Sequence, residues 1–292
     1  MKAGNLLAGD VDHLAALGYK RNRGLTQQET LLSLATSVIP ATLEQAGDPR
    51  ALVFQHCNAE SAVLPRDPDD SVGSSRNRYF PAAVLRELQL DDIPYLCSFA
   101  SGCAGFLSVV ITACGLFIDD EERPVICVMA DDRVPGFPFD MLRERILGSD
   151  HSSSFLVGRR PHGYHLLGIN FYSTTRTLVP LVEIVKRTVQ MIQDLATHLA
   201  LDLTARDVVI HYPNIFPDTW RMVTRYLRLA RVEAVIDEIA ERAHCGATDS
   251  VITLAKHHRG EEGRMHVVVN YGVGLHLGVC ILEEQNGATP RN

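Results

Sequence analysis

Short apolar runs of the length of buried strands alternate with longer segments of helical length along most of this chain. The run Ala51–Gln55 precedes a helical segment, and the runs at 94–99 and 123–130 repeat the arrangement. Apolar runs of about four to eight residues between helices are typical of buried, mostly parallel strands. The pattern therefore predicts an α/β fold in which helices cover the faces of the sheets.

This order of elements occurs twice. The first series ends with strand-like segments before residue 178, and a long amphipathic helix at 179–201 opens a second series that ends in a hairpin at 265–282. No residue-level repeat accompanies the second series, so the duplication rests on the element pattern alone. We predict two α/β halves, residues 1–178 and 179–292.

The composition excludes several classes of protein. The chain is 46% hydrophobic and 22% charged, as in ordinary globular proteins, and its net charge of -7 disfavours nucleic acid and anionic membranes as partners. No apolar stretch reaches the roughly 20 residues of a membrane span, and the first residues do not resemble a signal peptide. Seven scattered cysteines indicate a reducing cytoplasm and have no zinc-finger spacing. We expect a cytoplasmic protein with no metal and no tightly bound cofactor.

Cys103 lies among small residues at the predicted turn between the strand at 94–99 and an apolar helix at 106–117. A helix N-terminus favours thiolate over thiol, and Gly102 and Gly105 leave room for a substrate beside the sulfur. A buried core cysteine is the alternative, because free cysteine is often buried. The position at the carboxyl end of a strand makes Cys103 the candidate nucleophile.

Two further segments carry groups that a nucleophilic thiol requires. His211 ends the apolar strand at 207–211, and histidine is the usual base for such a thiol. A strand-end histidine that binds a loop carbonyl would give the same pattern. The glycines at 272–275 lie between two apolar strands, where they form either an oxyanion hole or an ordinary hairpin turn.

In this order, these three segments resemble motifs of the thiolase-like superfamily, and most closely its β-ketoacyl-acyl carrier protein synthase III-like branch. The segment Ala-Ser-Gly-Cys-Ala-Gly-Phe-Leu around Cys103 matches the nucleophile segment of that branch, and His211 begins His-Tyr-Pro-Asn where the family has His-Gln-Ala-Asn. The strand at 150–157 resembles the family's Asp-Gly-Ala-Gly-Ala strand. The resemblance implies a thiolase-like fold of two duplicated halves in five αβαβα layers, and a dimer.

The resemblance also assigns site residues. It implies that Cys103 and His211 are catalytic and that the backbone N–H groups of Cys103 and Gly274 form the oxyanion hole. It further implies that the substrate-binding residues include Asn214, Phe106 and Gly272.

The chain departs from the family at two places. Residues 1–26 contain no version of the glycine-containing first strand, which predicts that this strand is missing. Gly246 takes the place of the third catalytic residue, an asparagine, and Asp249 and His244 lie nearby as the remaining candidates. An oxyanion donor contributes roughly 10²–10³ in rate, so its loss should weaken malonyl decarboxylation far more than acylation of Cys103.

We therefore expect Cys-dependent acyl transfer or condensation through an acyl-Cys103 intermediate, in fatty-acid-like, polyketide or other secondary metabolite biosynthesis. The donor is a thioester of coenzyme A or of acyl carrier protein, and the acceptor is a carbon nucleophile, an amine or an alcohol. Because members of the family form dimers, the resemblance also implies a homodimer. One alternative is a weak or structural subunit that pairs with an active paralogue in a heterodimer, and another is a hydrolase that uses the same thiol.

Overall fold

A computed structural model describes residues 11–64, 79–90, 92–99, 101–117, 122–133, 138–141, 145–160, 162–176, 179–236, 238–272 and 276–286. The helices in these ranges are α1 Val11–Ala16, α2 Leu31–Ala46, α3 Phe80–Glu87, α4 Gly105–Gly115, α5 Leu181–His198, α6 Pro217–Leu227, α7 Ile239–Arg242 and α8 Thr248–His257. The strands are β1 Ala51–Gln55, β2 Tyr95–Ser98, β3 Val125–Asp131, β4 Asp140–Met141, β5 Ile146–Leu147, β6 His151–Val157, β7 His162–Ser173, β8 Val208–His211, β9 Val232–Val235, β10 Met265–Gly272 and β11 His276–Asn286.

The two main sheets repeat one topology. The first has the order β2-β1-β3-β6 and the second the order β9-β8-β10-β11-β7. In each, three parallel strands are followed by one antiparallel strand, β6 or β11. In the part of the chain that the structure describes, no strand precedes β1, so β7 has no counterpart in the first sheet. This topology confirms the predicted duplication and agrees with the predicted loss of the first strand.

The described residues form the five predicted layers, and three clusters of buried apolar side chains pack between these layers. Side chains of α2 and α3 cover the outer face of the first sheet, and those of α5 and α6 cover the outer face of the second. Between the sheets, α4 and α8 form a central layer that contacts both, through residues such as Phe106, Ala247 and Leu254. Because α4 follows the Cys103 turn, the candidate nucleophile lies in this central layer.

The first long helix, α2, begins after Thr30, because Thr30 and Ser33 form its capping box. The segment at 230–240 contains strand β9, which pairs with β8. Among the described residues, none of the helices combines the length and the apolar character needed to cross a bilayer.

The boundary proposed at 178/179 stays a prediction. The strand β7 precedes this position in sequence but pairs with β11 in the second sheet. The sheet of the second half therefore includes residues on both sides of 178/179.

Candidate active site

The nucleophile turn is a short 3-10 helix, Gly102–Ala104, that leads directly into α4. Gly102 has a φ of +50°, a conformation that favours glycine. The Gln55 amide donates a hydrogen bond of 3.1 Å to the Gly102 carbonyl. A Cβ on Gly105 would lie 2.1 Å from the side chain of Gln55, so only glycine fits there. The end of β1 thus fixes the backbone on both sides of Cys103.

The second sheet packs against the same turn. A Cβ on Gly272, the last residue of β10, would lie 2.4 Å from the Ser101 carbonyl oxygen and 3.2 Å from the Ala104 nitrogen. Gly272 therefore allows the strand to approach the turn, and its assignment to substrate binding stays a prediction. Gly274 lies outside the described residues, so its part in an oxyanion hole stays a prediction.

His244 and Asp249 lie at the start of α8 and face the thiol. The Nδ1 atom of His244 donates a hydrogen bond of 2.6 Å to Asp249 Oδ2. The other ring nitrogen, Nε2, is buried with no hydrogen-bond partner, and the charge of the His244 ring lowers the pKa of the Cys103 thiol. The structure thus brings together a thiol, an imidazole and a carboxylate, in Cys103, His244 and Asp249, which is the order of groups that activates a nucleophilic cysteine.

Asp249 is anchored from several directions. Backbone N–H groups of Asn214 and Cys245 donate to it at 2.8 and 3.1 Å, and the Arg242 guanidinium forms a salt bridge with it. Burial alone would raise the pKa of Asp249, but the charges of His244 and Arg242 outweigh it and hold the pKa well below its usual range. The carboxylate therefore stays ionised and holds the His244 ring in one orientation.

The same contacts ionise the nucleophile. The neighbouring Cys57 thiol, together with the charge of His244, lowers the pKa of Cys103 well below its usual value against the opposing effect of burial. Burial would lower the pKa of His244, but the Cys103 thiolate and Asp249 raise it to about 10. These opposite shifts favour a thiolate–imidazolium pair of Cys103 and His244, which is the state that a nucleophilic cysteine requires.

His211 is the last residue of β8, in the second sheet. Its Nε2 is 2.9 Å from Nδ1 of His266, the two rings stack, and the ring of His257, at the far end of α8, is 5.9 Å away. The register explains this position: His211 pairs with Val268, four residues or about 13 Å of strand before Gly272 at the nucleophile turn. Burial lowers the pKa of His211 well below its usual value. The described contacts of His211 do not include Cys103.

The remaining predicted residues have mainly supporting contacts. Asn214 is buried, and its side-chain amide donates to the Ala243 carbonyl while its backbone holds Asp249. Phe106 is buried in the central layer, with its ring 5.5 Å from that of Phe155. Gly246 has a φ of +53°, and this turn separates His244 from α8.

Cys57, two residues after β1, is the site residue that the sequence interpretation missed. The Cys57 thiol is the largest of the influences that lower the pKa of Cys103. Nothing in the local sequence distinguishes it from the other cysteines, because its role depends on the adjacency of β1 and the nucleophile turn.

Solved structures resemble this chain, although no family model and no curated protein sequence matches it. ChlB3, described as an acyltransferase, is 14% identical, with 97% of this chain and 92% of that chain covered and a TM-score of 0.73. The 3-oxoacyl-[acyl-carrier-protein] synthase III of Aquifex aeolicus VF5 is 13% identical, with coverages of 95% and 92% and a TM-score of 0.70. Xanthomonas campestris OleA, solved with lauric acid and lauroyl-CoA, is 15% identical, with coverages of 94% and 89% and a TM-score of 0.67. The chain thus has the thiolase-like fold, in the form seen in synthase III-like proteins, as its motifs predicted.

Proposed function

We propose that the protein transfers an acyl group from a thioester through a covalent acyl-Cys103 intermediate, with His244 as the acid and base and Asp249 as its positioning residue. The observation that carries this proposal is the buried Cys103–His244–Asp249 arrangement. A thiolate is a far better nucleophile than a thiol, and a base fixed by a carboxylate serves both halves of an acyl transfer.

In the first half, the Cys103 sulfur attacks the carbonyl carbon of the donor thioester and a new carbon–sulfur bond forms. The bond between that carbon and the donor sulfur breaks as the tetrahedral intermediate collapses. The departing thiolate takes the proton from His244 Nε2 and leaves as a free thiol. The backbone N–H of Cys103 is the expected oxyanion donor on this chain.

In the second half, the now neutral His244 accepts a proton from the acceptor, which attacks the acyl-Cys103 carbonyl carbon. The bond between this carbon and the Cys103 sulfur breaks, and the sulfur leaves as a thiolate beside the imidazolium. Asp249 keeps the proton on Nδ1 throughout, so that Nε2 is the nitrogen that exchanges protons.

Transfer to an acceptor is favoured over decarboxylative condensation. Gly246, at the position of the family's asparagine, has no side chain to stabilise an enolate. The acyltransferase name of ChlB3 and the lauroyl-CoA in the OleA structure support an acyl-thioester of coenzyme A or carrier protein as the donor. No step above requires a tightly bound cofactor.

A homodimer is part of the proposal. The strand β2 lies at an edge of the first sheet and exposes Tyr95, Leu96 and, just beyond its end, Phe99. Exposed apolar edge strands associate readily with a second strand, so this edge is the proposed dimer contact.

The experiment compares acylation rates of matched histidine variants. Wild type, His244→Gln and His211→Gln are incubated with acyl-CoA thioesters of several chain lengths, and the acyl-enzyme is followed by intact-protein mass. We expect His244→Gln to acylate at least tenfold more slowly and His211→Gln to match wild type. If His211→Gln acylates more slowly than His244→Gln, His211 is the base instead. If no variant, including wild type, forms an adduct, the structural-subunit alternative is favoured.

A further inference from the structure

Cys57, Asp131 and His151 meet at the carboxyl edge of the first sheet. Cys57 follows the end of β1, Asp131 is the last residue of β3, and His151 is the first residue of the antiparallel β6. Asp131 and His151 are direct cross-strand partners, so their side chains start from adjacent positions on the sheet. The sheet topology itself therefore assembles a thiol, a carboxylate and an imidazole.

The spacing of these groups fits a metal ion. One donor atom from each residue lies within 4.8 Å of the other two. The Asp131 Oδ2 to His151 Nε2 distance is 4.0 Å, which is too long for a hydrogen bond. Zinc binds oxygen and nitrogen at about 2.0–2.2 Å in tetrahedral geometry, which places two such ligands about 3.4 Å apart, so the two side chains need to close by only about 0.6 Å to hold one ion.

The carboxylate is already oriented. The backbone N–H of Cys57 donates to Asp131 Oδ2 at 2.7 Å, and that of Asn58 donates to Oδ1 at 2.9 Å. Each carboxylate oxygen retains a second lone pair for a ligand. Hydrogen bonds of this kind fix ligating carboxylates around bound metals.

The structure also leaves the donor atoms uncovered. A Cβ on Gly246 would lie 2.7 Å from His151 Nε2 and 2.8 Å from Cys57 Sγ, so any other residue would fill the space beside them. The residue His151 is 7% exposed, and its other ring nitrogen, Nδ1, is buried with no hydrogen-bond partner among the described residues.

We propose that Cys57, Asp131 and His151 form a binding site for a divalent cation of the zinc class beside the nucleophile. The set of thiolate, imidazole and carboxylate is one that zinc prefers. Binding releases the Cys57 thiol proton to solvent, and the sulfur then bonds to the ion as a thiolate. Three protein ligands leave a fourth position for water.

Titration of the full chain with Co²⁺, after removal of metals by a chelator, tests the site directly. Wild type should bind one equivalent and develop a sulfur-to-cobalt charge-transfer band. Cys57→Ser should lose the band, and His151→Ala should weaken binding about 10-fold or more. Cys114→Ser, which alters an exposed cysteine on α4, is the matched control and should keep the band.

Two results would overturn the proposal. One is the absence of stoichiometric binding by wild type, and the other is a band that persists in Cys57→Ser. Cys103→Ser separates this site from the nucleophile: the band should remain, and its loss would assign the thiolate to Cys103 and refute the site. Thermal melts of each variant check folding. Acylation measured without metal is independent of these results, so failure of the site leaves the proposed function intact.

Discussion

His244→Gln is the sharpest perturbation of the proposed ion pair. Glutamine has a similar reach and can still donate to Asp249, but it carries no charge toward Cys103. Asp249 keeps its salt bridge with Arg242 and its two backbone N–H donors, so the buried carboxylate stays paired and the fold should persist. The variant therefore isolates the electrostatic contribution of the imidazolium.

The magnitude follows from the thiolate fraction at pH 7. With its pKa well below the usual range, the wild-type Cys103 thiol is almost fully ionised, whereas a thiol near the ordinary value of about 8.5 is only about 3% ionised. That difference is roughly 30-fold, and the greater intrinsic nucleophilicity of the more basic thiolate reduces it to about tenfold. We expect alkylation of Cys103 to slow by about this factor.

The assay is iodoacetamide alkylation between pH 6 and 10, followed by peptide mass so that Cys103 is distinguished from the other cysteines. The wild-type rate should be flat across this range, because the thiol has already lost its proton below it. The His244→Gln rate should climb with pH through the ordinary thiol pKa. His211→Gln is the matched control and should keep the flat profile. A flat profile in His244→Gln, or a sloping one in wild type, would refute the ion pair.

Three further predictions concern the reaction, the fold and the assembly. Malonyl-CoA should lose carbon dioxide slowly or not at all on this protein, because Gly246 supplies no enolate donor; brisk release in a coupled assay would show that another group does so. Gly246→Ala should lower the free energy of unfolding by about 2–4 kcal/mol, since it adds overpacking against Cys57 and His151 to the strain of a positive φ. Gly47→Ala, at a φ of +72° with open space around it, should lose only about 1–2 kcal/mol in the same urea titration, and equal losses would contradict the packing interpretation. Light scattering should show that wild type is a dimer and that Leu96→Lys is a monomer. A monomeric wild type would refute the proposed dimer contact at β2.

The fold was predictable from the sequence because its determinants are local. Buried strands such as β1 and β3 are continuous apolar runs, and their spacing along the chain leaves room only for crossover helices. The small residues around Cys103 likewise mark a tight turn before an apolar helix. The strand–helix alternation, its duplication and the nucleophile turn depend on no distant contact, so all three could be inferred from the sequence.

The partners of Cys103 were predictable only in part, because the sequence offered His244 and Asp249 as candidates near Gly246 but favoured His211 as the base. The chain has 12 histidines, and His211 has the better local pattern because it ends a strand. The register of β8 against β10 nevertheless places it beside Val268, far from the turn, while the positive φ of Gly246 helps place His244 next to the thiol. Register and loop conformation are tertiary properties, which local spacing does not encode.

The identity of the acylated residue tests the central claim most directly. Wild type and Cys103→Ala are incubated with an acyl-CoA thioester, and the intact mass and the peptide that carries the adduct are measured. The account predicts one acyl group on the Cys103 peptide of wild type, sensitive to hydroxylamine, and none on Cys103→Ala. An adduct of equal yield on Cys103→Ala would contradict it and place the nucleophile elsewhere.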